Sequence, residues 1–132
     1  MIEEAIIGHL LDTMGVSALV SNRVYPLSLP QGRTLPAMTV QRVSGAPLYA
    51  DDGEAGLVNP RVQVDCWGAT YAAAKLSARA AVTALSAYVG DMGGVEVQYV
   101  LLEDERDMPR ESGANAAEYV FRVSLDFIVW HS

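Results

Sequence analysis

The sequence predicts an α+β domain: a mostly antiparallel sheet of about four strands with two helices packed on one face, in the order α-β-β-α-β-β. Three observations carry this expectation. Apolar residues alternate with polar ones over 61–67 and 119–129, the period of a strand with one buried face. An alanine-rich stretch from 70 to 89 repeats its larger apolar residues at spacings of three and four, the period of a helix. Glycine and proline clusters punctuate the intervals.

The first helix is expected over 2–14. Ile7, Leu10, Leu11 and Met14 then share one face, Glu3 and Glu4 sit in the first turn where the helix dipole favours carboxylates, and Gly15 is the stop. Pro26 and Pro30 forbid a regular helix and bias the residues before them to extended backbone, so 27–34 is a loop. A strand follows Pro36 over 37–44, where Met38 and Val40 alternate with Thr39 and Gln41, and it ends at Gly45-Ala46-Pro47. The stretch 49–59 holds Asp51, Asp52 and Glu54 with two glycines and little apolar periodicity, which predicts an exposed loop.

Over 61–67, Val62, Val64 and Cys66 fall on one face and Arg61, Gln63, Asp65 and Trp67 on the other. Thr70 is positioned to cap the second helix, whose face is Tyr71, Ala74, Ala78, Val82, Leu85 and Val89, with Gly90 as its C-cap. Gly93-Gly94 turns the chain into a strand carrying Val95, Val97, Tyr99 and Leu101. The charged run Glu103-Asp104-Glu105-Arg106-Asp107 and a loop over 108–115 then lead into the last strand, whose inward face is Tyr119, Phe121, Val123, Leu125, Phe127 and Val129.

Composition bounds the function. The chain has 132 residues, the size of one ordinary domain, and no linker, repeat or low-complexity tract divides it, so 1–132 is taken as a single domain. No apolar run approaches the about 20 residues of a membrane-spanning helix. Residues 1–14 carry Glu3, Glu4 and Asp12 where a secretion signal carries basic residues ahead of an apolar stretch, so export by that route is not expected. The single cysteine, Cys66, makes no internal disulfide, which fits a reducing cytoplasm. A net charge of -7 gives a field that repels a phosphate backbone.

A search for chemistry returns none. The two histidines, His9 and His131, stand at no spacing that pairs them with a nucleophile or a second ligand. Cys66 lies on the core face of its strand, where a cysteine acts as a small hydrophobe. The carboxylates at 51–54 and 103–107 do not follow the ligand spacing of a calcium loop. Gly90, Gly93 and Gly94 lack the Lys and Ser or Thr of a phosphate-binding loop. No catalytic, cofactor-binding or metal-ligating residues are therefore assigned.

Several phrases, in order, carry a resemblance: Arg23-Val24-Tyr25-Pro26, Leu35-Pro36, Gln41-Arg42-Val43-Ser44-Gly45, Arg61-Val62-Gln63-Val64-Asp65-Cys66-Trp67, Tyr71 with Ala74, Glu103-Asp104-Glu105-Arg106-Asp107, and Ser124-Leu125-Asp126-Phe127-Ile128-Val129-Trp130-His131. Over nearly the whole chain the sequence resembles the tail completion, or tail terminator, proteins of long-tailed phages and prophages, which also occur in gene transfer agents. The resemblance implies a non-catalytic virion protein, assembled in the host cytoplasm and sited at the head-proximal end of the tail. It implies a self-assembled ring of six subunits that terminates the tail tube and joins it to the head connector. The partners are then other copies of the chain, the tail tube protein and the head-tail connector protein; DNA passes through the lumen without specific binding, and no membrane or cofactor is involved. Loops on a rigid sheet carry recognition, so the candidate partner or subunit contacts are Asp51, Asp52, Glu54, Arg106, Asp107 and Arg110. The competing expectation is a small ferredoxin-like α+β domain that binds a ligand or catalyses a reaction and oligomerises; it requires a pocket with convergent polar groups.

Overall fold

A computed structural model describes residues 2–30, 34–44, 58–112 and 119–132, with backbone alone at 44, 110–112 and 119. Among the described residues nine elements follow one another: α1 (Ile2–Asp12), α2 (Met14–Val20), β1 (Val24–Pro26), β2 (Ala37–Ser44), β3 (Arg61–Gly68), α3 (Tyr71–Leu85), β4 (Gly90–Met92), β5 (Val95–Ser112) and β6 (Tyr119–His131). The class is α+β, but the expected four strands and two helices are six and three. The sheet runs β1-β2-β3-β6-β5-β4, and it is mixed rather than all antiparallel because β1 lies parallel to β2. Helix α1 touches both β1 and β4, strands at opposite ends of that order, so the sheet curls around the helices like half a barrel.

Each departure has a local cause. The first helix stops at Asp12: Thr13 is extended, at φ -89° and ψ 117°, and its Oγ1 donates to the His9 carbonyl at 2.7 Å instead of continuing the turn. A second, seven-residue helix then starts at Met14 and buries Val16 and Val20. The inward face of α1 is therefore Ile2, Ala5, Ile6 and Leu10, while Met14, expected on that face, is 83% exposed. Helix α3 is capped as expected, with Thr70 Oγ1 accepting from the Ala73 amide at 3.1 Å. It ends at Leu85 rather than at Gly90, because Ser86 is extended and Ala87 takes a φ of 63°; Val89 consequently stands exposed, and Tyr71, at the first position of the helix, is exposed as well. Gly90, at a φ of 129°, instead opens the short edge strand β4.

The largest difference is β5. It continues through the charged run and into the expected 108–115 loop, pairing with β6 from Val97↔His131 to Ser112↔Tyr119. Bulges interrupt that ladder between Val97 and Tyr99, Leu102 and Asp104, and Met108 and Glu111; Pro109 falls inside the third, where no ladder amide is required. The core gathers Leu10, Val16, Val20, Met38, Val64, Cys66, Leu85, Leu125 and Phe127 between helices and sheet. At the passage from β3 to α3, a Cβ on Gly68 would lie 2.6 Å from the Ala74 amide nitrogen and 2.9 Å from the Thr70 carbonyl, so only glycine brings helix and strand this close.

Candidate functional site

Strand alternation gives the sheet a second face, turned away from the helices, and that face is charged. The antiparallel register sets Gln63 opposite Asp126, Asp65 opposite Ser124 and Trp67 opposite Arg122. On the other flank of β6, Arg106 stands opposite Ser124 and Asp104 opposite Asp126. The outward residues around Asp65, Ser124 and Asp126 thus form a polar layer, which gives way along β5 and β6 to the pairs Leu101–Ile128 and Tyr99–Trp130.

Asp126 sits at its centre, only 7% exposed. Arg106 forks onto it, Nη1 donating to Oδ2 at 2.7 Å and Nη2 to Oδ1 at 3.3 Å, and donates further to Ser124 Oγ at 3.2 Å and Asp104 at 2.6 Å. Arg61 approaches Asp126 at 3.6 Å and donates to Glu103 at 2.6 Å. These hydrogen bonds raise both guanidinium pKa values above their ordinary range, Arg106 chiefly through Asp126 and Arg61 chiefly through Glu103. A second group surrounds Asp65, 5% exposed: Gln63 Nε2 donates to both of its oxygens at 3.0 Å and Arg122 stands 3.6 Å away. The Arg122 guanidinium also lies 4.9 Å over the Trp67 ring, and the Trp67 indole donates to the buried Thr39 hydroxyl at 3.0 Å.

A third group ties β5 to α3 on the helix side. Lys75 donates to Glu105 at 2.7 Å and to Asp107 at 3.0 Å, and the Tyr71 hydroxyl donates to Asp107 at 2.7 Å. The Tyr71 and Lys75 hydrogen bonds hold the Asp107 carboxyl below its ordinary value; reciprocally, Asp107 raises Tyr71, and Glu105 and Asp107 raise Lys75.

The residues tested for chemistry have other engagements. His9 Nε2 lies 3.0 Å from the Ala84 carbonyl, so it carries the proton and donates, and the ring meets Tyr88 edge-on at 4.7 Å. Cys66 is fully buried, and desolvation pushes its thiol pKa far up, away from reactive thiolate. A cleft of about 430 Å³ between α1 and the β4 turn is lined by Glu4, His9, Asp12 and Asp91 among others. Among the described residues no group of three or more His, Cys, Asp or Glu is placed to hold a metal ion, and no helix is long and apolar enough to cross a membrane.

Of the expected contact residues, Asp51, Asp52 and Glu54 lie outside the described residues and Arg110 is placed by its backbone alone. Arg106 and Asp107 are brought not to a loop but to a strand, on opposite faces: Arg106 into the outer ion pairs, Asp107 against α3. Sequence reasoning passed over Arg61, Asp65, Lys75 and Asp126. The available signal was the pairs Arg61/Asp65 and Arg122/Asp126, four residues apart on the polar positions of two strands that turn out to be neighbours.

Fold and site together define a structural scaffold, an α+β unit whose ionisable side chains hold a curled sheet in shape. The sequence matches the family model of the tail completion protein gp17 over residues 4–132. The chain belongs to that family, whose members are structural proteins of the phage tail and virion. No curated protein matches it. Among the solved structures, a chain of the "Virion of native gene transfer agent (GTA) particle" superposes with a TM-score of 0.65 at 20% identity, covering 98% of this chain and 92% of that one, which shows the shared fold.

Proposed function

We propose that the chain is a non-catalytic ring subunit at the head-proximal end of the tail, where six copies end the tail tube and offer a docking surface to the head-tail connector protein. The observation that carries this is the family match across 129 of 132 positions, residues 4 to 132. The geometry supports it, because a sheet face braced by Arg61, Arg106 and Arg122 suits a rigid part that must keep its shape in an assembly. The outer face around Arg106, together with Asp51, Asp52, Glu54 and the β5 residue Arg110, is the surface offered to neighbours, with Asp107 fixing the strand behind it. The net charge of -7 lets DNA cross the lumen without adhering.

The test mixes the purified chain with growing tail tubes of the cognate tube protein and images them by negative stain, with light scattering to give the subunit mass. The expected result is a ring on one end of each tube and shortened tubes. Uncapped tubes of unchanged length would sink the proposal.

A further inference from the structure

One helix and one corner of the sheet carry opposite charge. Helix α3 contains Lys75 and Arg79 and no Asp or Glu, whereas residues 86–98, which include β4, contain Asp91 and Glu96 and no Lys or Arg. In the β4–β5 register Asp91 stands directly opposite Glu96, both exposed, and among the described residues no salt bridge reaches either. Like charges directly opposed across two strands repel, and an outside cation relieves them. Among the described ion-paired cations Arg79 is the least engaged. Its side chain is 66% exposed, against 21% to 37% for Arg61, Lys75, Arg106 and Arg122, and it stands 3.9 Å from Glu105, a carboxylate that Lys75 already holds at 2.7 Å.

Both places also leave apolar side chains in water. On α3, Leu76 shares an exposed stripe with Ala72, Arg79 and Thr83, at spacings of four, three and four. At the corner, Met92, Val97 and Val100 are buried toward the helices, which leaves Tyr99 and Leu101 exposed on the outer side, opposite Trp130 and Ile128. The Ala87 amide donates to the Val100 carbonyl at 2.8 Å and Gly90 pairs with Val97, so the exposed Val89 runs along the same stretch of β5. An aromatic and aliphatic cluster rimmed by charge is the make-up of a protein–protein contact.

We infer that the exposed stripe of α3 in one copy seats on the β4–β5 corner of the next, Arg79 meeting Asp91 and Glu96 while Leu76 covers Val89 and Tyr99. The occupant is a second copy because one chain supplies both halves of the match, an exposed cation beside a leucine and two opposed carboxylates beside an aromatic cluster. The stripe belongs to the helix layer and the corner to the outer side of the sheet. Two different patches make a heterologous contact, which closes into a ring when the rotation permits. The inference rests on the ring reading above and assigns the surfaces that build it.

Light scattering and sedimentation of the full chain, over a range of concentration and salt, supply the test. Wild type assembles, and assembly weakens as salt rises. Arg79→Glu alone, or Asp91→Lys with Glu96→Lys, raises the concentration for half-assembly about tenfold or more, with unchanged circular dichroism. Arg79→Gln, which removes the charge without reversing it, shifts assembly the same way by less. All three reversals in one chain assemble again, since opposite charges then meet at every contact. Wild type that assembles while neither variant shifts it, or variants that the combined chain does not rescue, overturns the pairing alone. Variants that assemble like wild type yet no longer cap tubes place the tube protein on these residues and likewise overturn it. A wild type that stays monomeric at all concentrations and salt, with or without tubes, overturns the ring and the pairing together.

Discussion

Strand β6 presents two solutions to burial on a single stretch of backbone. Toward the helices, Val123, Leu125, Phe127 and Val129 are dry and without a polar atom to satisfy; away from them, Ser124 and Asp126 are nearly as buried yet are held by hydrogen bonds and ion pairs. The first face is stabilised by area removed from water and is indifferent to exact partners. The second is stabilised only while each charge keeps its partner, because a buried charge left alone costs several times what the pair contributes. The apolar face therefore sets how stable the domain is, and the polar face sets which strands sit side by side.

That division is open to direct attack. Phe127→Ala, which empties the apolar side, is expected to cost about 3–5 kcal/mol in urea unfolding with the same end-state spectra; a loss below about 1 kcal/mol would mean the core does not rest on β6. Gly68→Ala, which forces α3 off β3, is expected to cost about 1–3 kcal/mol or more by the same measurement, since the colliding atoms are backbone and cannot swing aside. On the polar side, Asp126→Ala removes the carboxylate that two guanidiniums share, leaving Arg61 to Glu103 and Arg106 to Asp104 and Ser124, and is expected to cost about 1–3 kcal/mol. The double variant Asp126→Leu with Arg106→Leu should recover much of that loss; if it is as unstable as the single change, the charges do more than satisfy one another.

Asp107→Asn makes the smallest change, loosening the Tyr71 and Lys75 ties at the exposed end of β5 with faster amide exchange around 105–108 and little effect on global unfolding. Its pH signature has a definite sign. The Asp107 carboxyl is held below its ordinary value of 3.8, so its contribution is complete above that pH and fades as pH falls through the lower folded value. Tyr71 is raised from 10.0, so its contribution is complete below that pH and fades as pH rises through the higher folded value. Exchange protection of β5 should therefore drop at both acid and alkaline extremes in wild type, and Asp107→Asn should flatten both limbs.

Much of this was legible in the sequence. The alternation at 61–67 and 119–129 and the Thr70 cap are local signals, and strand, strand and helix stand where those signals put them. Strand β5 was legible only as far as Leu101, because a run of five charges has no apolar period and reads as solvated loop. What makes it a strand is remote: Arg106 is answered by Asp126, and Glu105 and Asp107 by Lys75 and Tyr71. Strands β1 and β4 are three residues each, below the length at which a period can be counted, and α2 is hidden by the Gly15 it contains. His9 and Cys66 are engaged in packing, and the ion-pair layer needed the register to become visible.

The burial of Cys66 gives the chain a built-in reporter. A sole thiol, fully enclosed and held protonated by desolvation, reacts with an aromatic disulfide only when β3 and the helices above it part. Its labelling rate thus counts opening events without any engineered probe, and a cysteine placed elsewhere on the surface would be the single fast-reacting site for a dye or a cross-linker.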